Sequence, residues 1–189
     1  IPYGVDLELF QPTPLPDDHR ILIVSRLIKR RGIRYAIDAL QTVREQFPDA
    51  KLDLVGDGPQ RENLRSRAEE KRVLDAVTFH GNVGPQDLVE RYRSATVYCH
   101  LSNDDGWNQT ALEAMASARP VVAVDAPHNS MVADGETGML VPSADSEALA
   151  TALSELFEAD RLAKRLGKQG RERAESHNNW ARIATRYAG

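Results

Sequence analysis

Ile21-Leu22-Ile23-Val24 is followed by Ser25-Arg26-Leu27-Ile28-Lys29-Arg30-Arg31-Gly32, and then by Ile33, Ala36, Ile37, Leu40, Val43 and Phe47 at helical spacing. The first run is unbroken, apolar and rich in β-branched residues. That is the pattern of a strand buried on both faces, as in a parallel sheet. The spacing of the six apolar residues that follow predicts a helix over about 32–47. Leu52-Asp53-Leu54-Val55 is a second strand of the same kind. Strand, loop, helix and strand make a βαβ unit, whose crossover is right-handed.

Outward from this unit the alternation continues. Gly56-Asp57-Gly58-Pro59 turns into a second helix, with Pro59 suited to its first turn. Val77-Thr78-Phe79 is a strand, and Gly84-Pro85 opens a helix through about Arg93. Val97 to Leu101 is a strand and Ala111 to Ser117 a helix, and Val121 to Val124 and Gly138 to Val141 are two more strands. Asp145 can cap a helix whose inner face is Leu149, Ala152, Leu153, Leu156 and Phe157. Further helical stretches run over roughly 160–176 and 179–188. The expectation is an α/β fold: one Rossmann-like, three-layer domain over residues 1–189, with a doubly wound parallel sheet of about six strands and C-terminal helices. Ligands of such sheets bind at the carboxyl ends of the strands, so the loops after Val24, Val55, Phe79, Leu101 and Val124 are the ones to inspect.

Composition narrows the function. The 189 residues carry 24 Lys and Arg against 28 Asp and Glu, a net charge of −4. This mild acidity argues against nucleic acid or an anionic membrane as the main partner. No apolar run approaches the roughly 18–20 residues of a membrane span. A single cysteine, Cys99, excludes an internal disulfide and a cysteine-based zinc site. It lies in the apolar run Thr96 to Leu101, which predicts a buried, inert thiol. The chain opens inside a loop, Ile1-Pro2-Tyr3-Gly4-Val5-Asp6, with no leader. That opening suggests a piece whose N-terminal partner domain is missing, and a site shared with that domain would be divided.

Four cations, Arg26, Lys29, Arg30 and Arg31, fall within six positions just before a helix. Guanidinium forks match phosphate oxygens, and a helix start adds backbone N–H donors. The alternative is a solvated basic patch. Gly56-Asp57-Gly58 has the G-x-G opening of a dinucleotide fingerprint, but Arg61 stands at the third glycine and no acid closes the next strand. A plain tight turn is the better reading. The densest segment is Ser102 to Ala116. Asp105 lies in its loop and Glu113 about one turn into its helix, and carboxylates suit the hydroxyls of sugars and ribose. Backbone N–H groups at Gln109 and Thr110 suit a phosphate. The alternative is that Asn103, Asp104 and Asp105 cap the helix or face water. The sequon Asn108-Gln109-Thr110 reads as accidental, because a glycan there would obstruct the site. None of the five histidines pairs at metal-ligand spacing; His100 reads as core, and His80 ends a strand within reach of a ligand. There is no P-loop, nucleophile elbow or zinc motif.

Taken in order, these segments resemble the C-terminal, donor-binding domain of a family 4 (group 1) glycosyltransferase with the glycosyltransferase-B fold. Ile1 to Asp6 with Phe10 resembles the family's inter-domain entry, and Val24-Ser25-Arg26-Leu27 with Arg31-Gly32 its V-G-R-L-x-x-x-K-G. Leu54 to Pro59 resembles V-G-x-G-P, Phe79-His80-Gly81 its F-x-G, and Tyr92 with Ala95 its Y-x-x-A. Asp105 to Glu113 sits on the Glu-x7-Glu signature, followed by Pro120 to Ala123, Thr137 to Val141 and Trp180.

The resemblance implies a retaining transferase that moves a hexose from a nucleotide diphosphate sugar to an acceptor such as a glycan or lipid-linked precursor. Arg26 and Arg31 would hold the diphosphate, Glu113 the ribose and Asp105 the donor sugar. Backbone around Gly106, Trp107, Asn108, Gln109 and Thr110 would contact sugar and phosphate, and Ser25 would also bind the donor. The loops at Gly56, Gly58, His80 and Gly81 would frame the base. No metal and no cofactor is expected. The partners implied are the nucleotide sugar and an N-terminal acceptor domain, without which this chain would be inactive. The setting implied is polysaccharide biosynthesis, cytoplasmic or peripheral to the inner face of the membrane. The departures are Asp105 for Glu, Arg31 for Lys, Asn108 and Ala118 for Gly, and Pro127-His128-Asn129-Ser130 without the usual Gly-Gly. A nucleotide-sugar epimerase on the same fold, or a binding domain without catalysis, are the alternatives.

Overall fold

Residues 4–102 and 108–177 are described by a computed structural model of the chain. Six strands form its sheet: β1 (Arg20–Val24), β2 (Lys51–Val55), β3 (Val77–Gly81), β4 (Val97–His100), β5 (Val121–Val124) and β6 (Gly138–Val141). Every pairing is parallel, in the order β3-β2-β1-β4-β5-β6. The chain winds outward from β1 to β3, then returns to the far side of β1 as β4. The strand order therefore reverses between β1 and β4, which opens a crevice at their carboxyl ends.

Helices connect the strands: α1 (Ile33–Gln46), α2 (Arg61–Glu70), α3 (Pro85–Ser94), α4 (Gln109–Ala116), α5 (Ser146–Glu158) and α6 (Asp160–His177). On one face of the sheet Ile21, Ile23, Leu52, Leu54 and Val122 pack against Ile37 and Leu40 of α1 and Leu149 and Leu153 of α5. On the other, Leu22, Tyr98, Val121 and Ala123 pack against Tyr92 of α3 and Leu112 and Met115 of α4. Each fully buried Leu or Ile contributes roughly 1.5–3 kcal/mol, so both layers are needed. α6 serves both faces, with Ala163 and Leu166 in the first cluster and Ala174 in the second. Cys99 is fully buried in the first cluster, and burial pushes its thiol pKa far up, as the apolar run predicts.

Most boundaries fall within a residue or two of the sequence reading, and Asp145 caps α5 by accepting the Ala148 N–H at 2.8 Å. Three boundaries differ. β3 extends past Phe79 to take in His80 and Gly81. α4 begins at Gln109, two residues before Ala111, so Gln109 and Thr110 form its first turn. Pro59 lies outside α2, whose N-cap is Gln60; the turn is closed by the Gln60 N–H on the Leu27 carbonyl at 3.0 Å. The stretch 179–188 lies outside the described residues.

The N-terminal segment is tied to the amino end of the sheet by Arg119, which is completely buried. Its guanidinium donates to the carbonyls of Ser117 (3.0 Å), Ala95 (3.1 Å) and Pro14 (3.3 Å), and to Thr13 Oγ1 at 2.6 Å. Burial lowers its pKa to about 10, which leaves it cationic at neutral pH. Arg171 of α6 donates to the carbonyls of Phe10 (2.7 Å) and Ala116 (2.6 Å), joining the same segment to α4.

Candidate functional site

A cavity of about 420 Å³ opens at the carboxyl ends of β1, β2 and β3. Val24, Ser25 and Arg26 form one wall, Val55, Gly56 and Asp57 a second, and Asn82, Val83 and Leu88 a third. Thr110, in the first turn of α4, closes it. Apolar side chains facing polar ones suit a flat group with hydrogen-bonding edges. The glycines of Gly56-Asp57-Gly58 let two loops meet. A Cβ at Gly56 would collide with the Ser25 carbonyl, and one at Gly58 would lie 2.5 Å from the Leu27 carbonyl oxygen. The Leu27 N–H reaches the Asp57 carbonyl at 2.9 Å across the same junction. Both glycines thus shape the cavity by packing, and Gly56 also lines it.

The cationic loop is divided by the fold. Arg26 is exposed and lines the cavity. Arg31 ends a 3-10 turn, Lys29–Arg31, and Gly32 after it packs on the Leu101 carbonyl at the end of β4. This contact brings the Arg31 Nη1 to 3.1 Å from Ser102 Oγ, across the point where the strand order reverses. The His128 ring lies 3.0 Å from the Ser102 carbonyl through Nε2, so Ser102 is held from two sides.

The first turn of α4 is anchored by two buried phenols. Tyr98 of β4 donates to Thr110 Oγ1 at 2.6 Å. The Tyr92 hydroxyl lies 2.9 Å from the Thr110 carbonyl and 3.0 Å from Glu113 Oε2. Glu113 Oε1 faces the Gln109 amide at 3.5 Å, and the same amide donates to the Gly4 carbonyl at 3.2 Å. Burial raises the Glu113 pKa, and the hydrogen bonds from Tyr92 and Gln109 oppose that rise. The N-cap residue Asn108 makes no side-chain cap to the helix. Its buried amide donates instead to the His128 carbonyl at 3.1 Å and to Asn129 Oδ1. Asn129 in turn donates to the Val124 carbonyl at 2.6 Å. Asn108 is thus committed inside the fold, in keeping with an accidental sequon.

His100 is buried at the end of β4, as the sequence suggests. Burial first, then the charge of Arg31 and that of His128, hold its pKa down to about 4. His80 is placed differently from the cavity residues: its Nε2 lies 2.7 Å from Oδ1 of the buried Asp53. A bulge explains the direction, since Leu54 pairs with Phe79 but Val55 with Gly81, leaving His80 as the extra residue. Gly81 takes φ +68° and accepts the Gly56 N–H at 2.7 Å, joining the second and third walls. Asp105, Gly106 and Trp107 lie outside the described residues.

The structure therefore brings Ser25, Arg26, Gly56 and Thr110 to one cavity, and holds Gln109 and Glu113 on the helix that closes it. The sequence reading missed Tyr98, saw Tyr92 only as part of a motif, and named His128 and Asn129 only as a departure from the usual Gly-Gly. Tyr98 carried a signal, a hydroxyl in an otherwise apolar strand. Nothing in the sequence pointed His128 and Asn129 at Ser102 and Asn108. Among the described residues no three His, Cys, Asp or Glu side chains gather as metal ligands, and no helix is long and apolar enough to cross a membrane.

Comparison with known proteins identifies the family and agrees with the fold. Residues 6–173 match the family model described as glycosyl transferases group 1. The chain is 32% identical over 209 aligned positions to the GDP-mannose-dependent alpha-(1-6)-phosphatidylinositol monomannoside mannosyltransferase of Mycolicibacterium smegmatis, covering 100% of this chain and 54% of that protein. Sucrose-phosphate synthase from Thermosynechococcus elongatus superposes with a TM-score of 0.87 at 33% identity, covering 100% of this chain and 50% of that one. The C-terminal domain of a glycosyl transferase group 1 family protein from Francisella tularensis shares the fold, with a TM-score of 0.85 at 23% identity over 94% of this chain and 100% of that one. The chain spans about half the length of the curated relatives it matches.

Proposed function

This chain belongs to the group 1 glycosyl transferases, and from that premise we propose that it is the donor half of a retaining enzyme that moves a sugar from a nucleotide diphosphate sugar to an acceptor. The observation that carries the proposal is the cavity at the carboxyl ends of β1 to β3, closed by the first turn of α4. The nucleoside occupies the space between the Gly56 loop and the walls at Asn82 and Leu88, with its ribose at Glu113. The diphosphate lies between the loop after β1 and the start of α4. Asp105 takes the donor sugar, and an acceptor domain elsewhere in the whole protein completes the site.

Transfer breaks the bond between the anomeric carbon and the distal phosphate oxygen, and the electron pair leaves with the diphosphate. The acceptor hydroxyl oxygen bonds to the anomeric carbon on the same face, and its proton passes to the departing diphosphate oxygen. Negative charge grows on the leaving group, so catalysis requires positive charge already aimed at it. Arg26 and Arg31 supply cations, and the Gln109 and Thr110 N–H groups add the positive end of a helix dipole. In this reading these groups do the work that a divalent metal does elsewhere. Glycan and lipid-linked acceptors both fit it, as does a cytoplasmic or membrane-peripheral location.

The test is calorimetric titration of the chain with GDP, UDP and ADP. The name of the M. smegmatis relative specifies GDP-mannose, so GDP comes first. Binding of one diphosphate in the range of about 1 μM to 1 mM is expected. Arg26→Ala and Glu113→Ala should each weaken it about tenfold or more, the loss of one charged hydrogen bond. No binding of any of the three at millimolar ligand overturns the proposal.

A further inference from the structure

The hydroxyl of Tyr92 stands 2.9 Å from the Thr110 carbonyl and 3.0 Å from Glu113 Oε2, two acceptors on successive turns of α4. We propose that Tyr92 is the positioning residue for Glu113, fixing its carboxylate in place for the donor ribose. The inference rests on the ribose role of Glu113 given above.

Three features support it. First, the phenol comes from a different helix, α3, and is completely buried, so it is a fixed point and not a surface contact. Second, Tyr98 holds the hydroxyl of Thr110 while Tyr92 faces its carbonyl, so the turn that lines the cavity is pinned on side chain and backbone together. A shift of Glu113 relative to that turn would break the contact with Tyr92. Third, Tyr92 has one proton for two acceptors. An ionised Glu113 is the stronger acceptor and draws that proton. A neutral Glu113 can instead donate its own proton to the phenol oxygen, releasing the Tyr92 proton to the Thr110 carbonyl. The contact survives in both states, but only the ionised acid has its full capacity to accept from ribose hydroxyls.

The electrostatic setting makes this balance matter. Burial raises the Glu113 pKa, and Tyr92 is the larger of the two hydrogen-bonding influences that oppose it, with Gln109 second. Among the described residues, the ionisable groups that face Glu113 are Tyr92 from α3 and Tyr98 from β4. Arg171 of α6, the helix packed on α4, is committed to the carbonyls of Phe10 and Ala116 and to Glu175.

Tyr92→Phe tests the proposal, because the ring's edge contact with Phe10 (centroids 5.6 Å apart) and its contact with Tyr98 (5.8 Å) do not need the hydroxyl. GDP and UDP are titrated against their 2′,3′-dideoxy counterparts in the full chain, from pH 5 to 8. The parent should prefer the ribose form about tenfold or more, and Glu113→Ala should abolish that preference. Tyr92→Phe should cut the preference by about three- to tenfold, leave dideoxynucleotide affinity within about twofold, and move the midpoint of the low-pH loss of affinity upward. An equal loss for both ligands, or an unchanged preference, overturns the Tyr92 role while leaving that of Glu113 standing. A parent with no ribose preference, or one that Glu113→Ala leaves intact, overturns the Glu113 reading and this inference with it. A readout without ligand is the carboxyl carbon-13 titration of Glu113. Its midpoint should be higher in Tyr92→Phe than in the parent, and equal midpoints sink the idea.

Discussion

His80 Nε2 and Asp53 Oδ1 lie 2.7 Å apart, and Arg20 closes on the other oxygen of the same carboxylate at 2.9 Å. Asp53 is only 2% exposed, in the middle of β2, and its two partners come from neighbouring strands. A buried carboxylate so placed is stable only while both donors remain. Asp53→Ala should therefore cost about 2 kcal/mol, because it leaves the half-buried His80 ring without its partner and the Arg20 guanidinium to Asp18 alone, at 3.1 Å. Urea unfolding of the variant and the parent measures this; a loss under about 1 kcal/mol would mean that the triad contributes little.

Acid should weaken the fold through His100. Burial, Arg31 and His128 hold its folded pKa at about 4, against an ordinary 6.5. Between those values the unfolded chain takes up a proton that the folded chain refuses. Stability from this group is complete above about pH 6.5 and is lost as pH falls toward 4, by roughly 3 kcal/mol in all. His100→Leu should flatten the dependence. Urea midpoints at pH 7 and pH 4.5 should diverge more in the parent than in the variant, and equal divergence would refute the assignment.

The sheet was legible because its inner strands are buried on both faces and so appear as plain apolar runs. The βαβ rhythm then followed from Ile33 to Phe47. What escaped was polar and non-local. The start of α4 looked like loop because Gln109 and Thr110 are polar, yet Tyr92 and Tyr98, more than ten residues upstream, hold that turn. Arg119 carries no local signal of burial in the sequence. Its burial depends on carbonyls of Thr13 and Pro14, which no local pattern connects to it. His80 stood at a strand end in the sequence, but one extra residue in the ladder turned it toward Asp53. The cations and Glu113 were recognisable by type and position, whereas the groups that orient them were not.

Ala118 offers a stabilising change. It has φ +57° and follows α4, with its N–H on the Met115 carbonyl and the Arg119 N–H on the Ala114 carbonyl, both at 2.9 Å. This is the left-handed helix stop that favours glycine, and the resembling family pattern has glycine there. A side chain in this conformation costs roughly 1–2 kcal/mol, partly offset by the greater freedom of glycine in the unfolded chain. Ala118→Gly should therefore gain about 0.5–1 kcal/mol, raising the melting temperature by about 1–4 °C. A lower melting temperature would show that the Ala118 methyl packs more favourably than its backbone is strained.

Arg31 provides the sharpest separation of charge from geometry. Its guanidinium reaches Ser102 Oγ at 3.1 Å, and Ser102 is held in turn by His128, so the fork is anchored at one end. A lysine there keeps the charge but cannot bond Ser102 and a phosphate with one planar group. If Arg31 contacts the donor diphosphate, Arg31→Lys should weaken nucleoside diphosphate binding about tenfold while the phosphate-free nucleoside binds as before. Calorimetry with GDP and guanosine, or UDP and uridine, makes the comparison. Equal weakening of both would mean that Arg31 only braces the loop after β1, leaving Arg26 and the first turn of α4 to hold the phosphates.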